Sequence, residues 1–500
     1  MVIFMRKSGI LLPITSLPSD YGIGCFSKSA YDFVDWLHLA GQSFWQILPL
    51  CPTGFGDSPY QSFSTYAGNP YMISLKKLIE EGLLLKEECD NVSFSTDESF
   101  IDYKKLYDSR FSLLKKAFDR SNFICDGGYL EFSEKNNFWL DDYSVFMALK
   151  NKFNHKVWNE WPEDIRLRKP SAIIKIKKEL NEEILFQRFI QYKFYSQWES
   201  LKRYANEKGI SIIGDIPIYV SYDSADVWAN PPLFQLDENL SPAFVAGCPP
   251  DGFSKKGQKW GNPLYAWKNH KKTNFSWWIE RLRYALKLYD VLRIDHFRGF
   301  DEYYSIKSES PDATEGEWKK APGLELFKTA EKELGKKLII AEALGFVTDS
   351  VKDLLKKCDF RGMKVLQFAF DSRDTGRSND YLPHNYTEKS VCYTGTHDNQ
   401  TLFSWLKTIS EEEKISVRKY LADCFTPEER LYKPLIALIM RSASFLCIVP
   451  IQDWLNLSDK ARINTPSTLG KNWSWRLTEG QLNKELAEEI YEMTKIYSRL

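Results

Sequence analysis

Three apolar runs in this chain stop in the same manner, and that repetition constrains the fold more than any other feature. VLRIDHFRGF, residues 291–300, passes from Val291, Leu292 and Ile294 into a carboxylate, a histidine, an arginine and a glycine. A buried strand reads this way where it leaves the core for a polar pocket. KKLIIAEAL, residues 336–344, closes on Glu342, and SVCYTGTHD, residues 390–398, closes on His397 and Asp398. Charge at the end of a buried strand is costly unless it is paired or used. Arg293 and Asp295, two apart, share one strand face, so a single such end reads equally well as a structural ion pair. Three such ends, with two of the chain's six histidines beside the carboxylates, point instead to a shared site. Carboxylates delivered by different strands suit acid/base and nucleophilic chemistry on a sugar.

The same rhythm extends along the chain. GILLPITSLP from Gly9 reads as a strand interrupted by proline. A helical face follows over 30–40, and FWQILPL from Phe44 is a second strand. The Gly/Ser/Tyr-rich stretch 54–70 lacks helical periodicity and reads as a wall of a binding cleft rather than a passive loop. From there to 208 the text becomes helical and charged, so 54–208 is expected to be a mainly helical insertion after strand 2. GISIIGDIPIYV, 209–220, is a third strand with Asp215 near its end. The segment 221–267 is expected to be a loop-rich insertion after strand 3, with irregular backbone over 249–263. The runs at 291, 336, 362, 390 and 444 bring the strands to eight, with helical text such as 277–288 and 322–334 in most gaps. Alternation of this kind predicts a single α/β (β/α)8 TIM barrel over 1–500, with its chemistry at the C-terminal strand ends. Asp215, Asp295, Glu342 and Asp398 all fall there.

Composition removes several alternatives. Lys+Arg and Asp+Glu both number 67, which argues against a nucleic-acid partner and against a basic membrane-surface protein. No G-x-G-x-x-G or phosphate-cradling lysine loop follows a strand, and no H-x-H pair suggests a metal centre, so no cofactor is expected. The nine cysteines are scattered without a C-x-x-C, and no apolar run reaches membrane-spanning length. A cytoplasmic protein in a reducing compartment is the expectation.

RIDHFRGF (293–300), AEALG (341–345), GTHDNQT (395–401), GDIPIYV (214–220), SPYQSFST from Ser58 and KWGNPLY from Lys259 occur together and in order. The set resembles the signature blocks of the 4-α-glucanotransferases, or amylomaltases, of glycoside hydrolase family 77 in the α-amylase clan, and the likeness runs from Gly9 through Arg476. It implies a barrel without a separate C-terminal β-domain and without calcium. It assigns Asp295 as nucleophile, Glu342 as general acid/base and Asp398 as transition-state stabiliser. Arg293, His296 and His397 would hold the sugar and the nucleophile, and Tyr60, Asp215, Asp251, Gln258, Trp260 and Asn464 would contact substrate. The substrates implied are maltooligosaccharides, amylose or glycogen-derived 1,4-α-glucans, with glucose as acceptor, on a monomer or weak homo-oligomer. One departure is NTPS, 464–467, where the family usually has glycine in place of Ser467, so this serine needs negative φ or accepts strain.

The implied mechanism requires Glu342 to be protonated near neutral pH, which a neighbouring ionised Asp295 would favour, with Arg293 keeping Asp295 ionised. An α-amylase-like hydrolase with the same triad and a non-catalytic glucan-binding barrel are the alternatives. The first would give only shorter products from maltotriose, and the second would bind glucan without turning it over.

Overall fold

Eight parallel strands close into a barrel in the computed structural model, which describes residues 6–54, 56–250, 254–345, 347–372 and 379–500. In chain order they are Lys7–Leu11, Phe44–Gln46, Ser211–Ile216, Val291–Ile294, Ile339–Ala341, Arg361–Val365, Ser390–Tyr393 and Leu446–Pro450. Each expected strand run overlaps one of them: six contain the strand within their bounds, whereas the first strand begins at Lys7, before Gly9, and the sixth at Arg361, before residue 362. The first stops at Leu11, two residues before Pro13, and the third stops at Ile216, before Pro217, because proline offers no ladder donor. The eighth strand pairs with the first from Lys7↔Leu446 to Leu11↔Pro450, which closes the sheet. The buried Arg499 guanidinium pins that seam by donating to the carbonyls of Lys7 at 2.9 Å and Ser444 at 3.0 Å.

Period-two alternation sorts each strand into an inner and an outer face. Leu11, Ile213, Val291, Val365, Val391 and Ile448 form an inner cluster, distinct from the larger core between strands and helices. Two residues further along their strands, on the same inner face, Asp215 and Arg293 follow Ile213 and Val291. The barrel therefore carries an apolar lower layer and a charged upper one. Gly214, beside Asp215, is required by a close approach, since a Cβ there would stand 2.0 Å from the Tyr289 ring.

The segment between the second and third strands is mainly helical. Its two longest helices, Gly127–Lys152 and Asn181–Glu207, lie side by side. The second of them reaches the 54–74 segment with amides, which satisfy loop backbone that a buried loop cannot leave unpaired. Gln191 exchanges hydrogen bonds with Gly68, Oε1 accepting from its N–H at 2.7 Å and Nε2 donating to its carbonyl at 3.0 Å. Gln197 Oε1 accepts from the Ser74 N–H at 2.7 Å.

The stretch expected to be irregular departs from that reading. Phe244–Cys248 and Gln258–Pro263 are strands, and with Glu302–Lys307 and Gly316–Lys320 they make a second, antiparallel sheet. Its order is 258–263, 244–248, 302–307, 316–320. The two outer strands, QKWGNP and GEWKK, are polar along most of their length, as exposed edges must be to resist pairing with other chains. That polarity, with a bulge between Val245 and Gly247, hides the strand signal.

Candidate active site

The charged layer is organised by one guanidinium. Arg293, 1% exposed, ion-pairs with Asp215 through Nη1, stands 3.4 Å from Asp295 Oδ1, and reaches Glu342 Oε1 with Nη2 at 2.8 Å. Burial alone would weaken its charge, but the carboxylates around it outweigh that and raise its pKa well above the ordinary arginine value. Asp215 is also 1% exposed, and its Oδ2 accepts a 2.7 Å hydrogen bond from Tyr60 Oη. Asp215, expected to contact substrate, and Arg293, expected to hold the sugar and the nucleophile, lie beneath the cleft, where Asp215 braces Tyr60 and Arg293 reaches Asp295 and Glu342. The reason is their inward position on the strands.

The chain turns sharply after Asp295. His296 adopts a left-handed conformation, φ 46°, before the 3₁₀ turn Phe297–Phe300. This conformation is costly for a non-glycine residue, and it aims the His296 N–H at Glu342 Oε2, 2.7 Å away. Glu342 therefore receives a guanidinium on one oxygen and an amide on the other. Burial would raise its pKa, but Arg293, Asp295 and the His296 amide hold it down at about 2. Asp295 is pushed well above the usual carboxylate range, first by burial and then by the Glu342 charge. Arg293 and the His296 amide thus favour the ionised form of Glu342, while burial and the neighbouring Glu342 charge disfavour ionisation of Asp295, and the two carboxyls titrate as a coupled pair. Burial also lowers His296 to about 4, so its imidazole is neutral at pH 7.

On the opposite side, Asp398 Oδ1 accepts from Asn464 Nδ2 at 2.6 Å and lies 3.4 Å from His397 Nε2. Arg462 clamps this corner, donating through Nη2 to the Asp398 carbonyl at 2.6 Å and through Nε to the Asn464 carbonyl at 2.8 Å. The Tyr60 and His397 rings stack at 5.3 Å and 18°. Gln258 Oε1 accepts from Trp260 Nε1 at 3.0 Å, and the Trp260 ring stands edge-on to His296 at 4.8 Å. Asp295, Glu342 and Asp398, with Tyr60, Gln258, Trp260, His296, His397 and Asn464, all line one cleft of about 650 Å³ at the C-terminal ends of the strands. Asp251 lies outside the described residues. Ser467 accepts the strain that its glycine-favouring position imposes, with φ 63°.

A family model described as 4-alpha-glucanotransferase, of glycoside hydrolase family 77, matches residues 12–483. The chain belongs to this family. It is 49% identical to the 4-alpha-glucanotransferase of Clostridium butyricum, over 97% of this chain and 99% of that protein. To the 4-alpha-glucanotransferase of Streptococcus pneumoniae TIGR4 it is 46% identical, over 99% of this chain and 98% of that protein. Among solved structures, an amylomaltase from Streptococcus agalactiae in complex with acarbose superposes with a TM-score of 0.95 at 42% identity, covering 99% of each chain. This 4-alpha-glucanotransferase cleft also contains residues that the sequence did not single out: Trp318 and Arg298 on one rim, and Trp473 and Leu469 on the other, with Arg462 behind Asp398. Arg462 could have been suspected from its place two residues before Asn464. Trp318 could not, since nothing in GEWKK marks it.

Proposed function

We propose that this cleft moves a segment of a 1,4-α-glucan onto the 4-hydroxyl of glucose or another glucan by a retaining double displacement. The observation that carries the reading is one guanidinium that reaches both carboxyls, Arg293 standing 3.4 Å from Asp295 and 2.8 Å from Glu342 at the floor of one cleft. Two carboxyls gathered on one guanidinium support direct attack by Asp295, whereas inverting enzymes separate theirs by about 6.5–9.5 Å to admit a water. The first step needs Glu342 protonated and Asp295 ionised as the nucleophile. Glu342 gives the proton to the departing sugar oxygen while Asp295 bonds to the anomeric carbon. The acceptor hydroxyl then returns a proton to Glu342 as its oxygen displaces Asp295, so two inversions preserve the α-linkage.

Asp398, fixed by Asn464 and Arg462, is placed to accept hydrogen bonds from the 2- and 3-hydroxyls of the sugar as its ring flattens. Tyr60, stacked on His397 and tied to Asp215, offers a flat face to the same ring. The ligand class follows the S. agalactiae relative, solved with acarbose. Incubating the protein with maltotriose is the test. A ladder of longer oligosaccharides together with glucose is expected, and products no longer than the starting sugar would replace transfer with hydrolysis.

A further inference from the structure

The antiparallel sheet ends at the cleft in an aromatic residue that packs on the sheet's own small core and yet also lines the cleft. Trp318 lies in Gly316–Lys320, an edge strand, flanked by Glu317 and Lys319 and only partly buried. Its position is nonetheless tightly determined. Cross-strand pairing sets it opposite Tyr304, with ring centroids 5.1 Å apart, and the Tyr304 hydroxyl is tied to the Ala313 carbonyl at 3.2 Å. The Arg298 guanidinium lies over the Trp318 ring, 3.7 Å from its centroid. Arg298 is three residues beyond Asp295, on the 3₁₀ turn that follows the His296 bend. A device linking the reacting carboxylates to the outer sheet is therefore built from two residues, and both line the cleft.

The side of the cleft follows from the chemistry. Glu342 protonates the departing oxygen, so the departing sugar, and later the acceptor that replaces it, occupy the Glu342 side of the anomeric carbon. Asp398, His397, Asn464 and Tyr60 crowd the other side. Leu344, His296, Arg298, Trp318 and Pro249 line the same cleft, and His296, whose N–H bonds Glu342, begins the turn that carries Arg298. A pyranose has an apolar C–H face and a rim of hydroxyls. An indole supplies the surface for the first, and a guanidinium fork supplies donors for the second.

We propose that Trp318, braced by Arg298, is the platform that seats the acceptor glucosyl ring and so biases the covalent intermediate toward sugar rather than water. This rests on the glucanotransferase reading above. The test uses the full chain with α-maltosyl fluoride as donor, whose small leaving group does not fill the acceptor side, and glucose as acceptor. The readout is the ratio of transfer product to free maltose at fixed acceptor concentration, with fluoride release followed in parallel. Trp318→Leu keeps apolar contact with Tyr304 and Arg298 but removes the flat face, whereas Trp318→Phe keeps a ring. The ratio is expected to fall on the order of tenfold in Trp318→Leu, the change that about 1.4 kcal/mol of lost stacking produces, and to recover to within about threefold in Trp318→Phe. A parental ratio in Trp318→Leu would overturn the proposal. Equal losses in the Leu and Phe variants would overturn it too, since they would mark a packing role. Failure of the parent protein to lengthen maltotriose would instead remove the transferase reading on which it stands.

Discussion

The barrel mouth and the antiparallel sheet beside it are built on opposite principles. At the mouth, charge is buried: Arg293 and Asp215 are each 1% exposed and hold their geometry through ion pairs among themselves. In the sheet, polar side chains face water along the edges, and a small apolar cluster of Val245, Tyr304, Ile306 and Ala313 does the packing. Interior charge is expensive to rearrange, so the mouth can fix reacting atoms. A satellite cluster is cheaper to alter, so the sheet can reshape the substrate wall without disturbing them. Chemistry and selectivity occupy separate layers with separate cores.

The largest effect that probes this division is removal of the central guanidinium. Arg293→Ala is expected to lower transfer activity by at least about 10³-fold. It should also destabilise the fold by roughly 3–5 kcal/mol at pH 8. The sign with pH follows from what remains. Without Arg293, burial raises Asp215, Asp295 and Glu342 above their unfolded values, so stability is lost as pH rises and partly regained as pH falls and the carboxylates take up protons. Thermal unfolding at pH 5 and pH 8 measures this, and a deficit equal at both would break the account of a mouth held by buried charge.

A smaller effect distinguishes the two cores. Ile294→Ala, in the core between the barrel strands and the helices, should cost about 2–5 kcal/mol of global stability. Ile306→Ala, equally buried, should instead speed amide exchange over 244–263 and 302–320 while leaving the melting midpoint close to that of the parent. Equal midpoint losses would show that sheet and barrel unfold together, and the contrast drawn above would fail.

The same contrast explains what could be read in the sequence. Parallel strands covered on both faces must be continuous apolar runs, and a carboxylate ending one of them stands out against that background. Eight strands and the three carboxylates were legible for this reason. The antiparallel sheet was not, because QKWGNP and GEWKK have the composition of exposed loops, and their strand character arises only from pairing with 244–248 and 302–307. Arg462 was missed for another reason: it acts through backbone carbonyls, which leave no signature in side-chain motifs. The contact between Arg293 and Glu342 was not legible either, because sequence spacing places Arg293 nearest Asp295, whereas the fold brings its Nη2 closer to Glu342.

The smallest effect concerns the far rim. Ser467→Gly removes a left-handed serine, φ 63°, and should stabilise the protein by at most about 1 kcal/mol, because the glycine also loosens the unfolded chain. Denaturant midpoints resolve a change of that size, and a destabilised variant would mean that the serine's backbone is not strained.

Closure of the barrel has a consequence for how the protein comes into being during synthesis. The seam joins the first strand to the eighth, and Arg499 bonds the carbonyl of Lys7 across 492 positions of chain. The ribosome therefore releases Asp295, Glu342 and Asp398 long before the partners that complete their setting. A nascent chain that has emerged only to residue 450 already carries every reacting carboxylate, but it lacks the Asn464 amide and the Arg462 guanidinium that orient Asp398. Transfer activity is thus a property acquired late, when the two ends of the polypeptide meet.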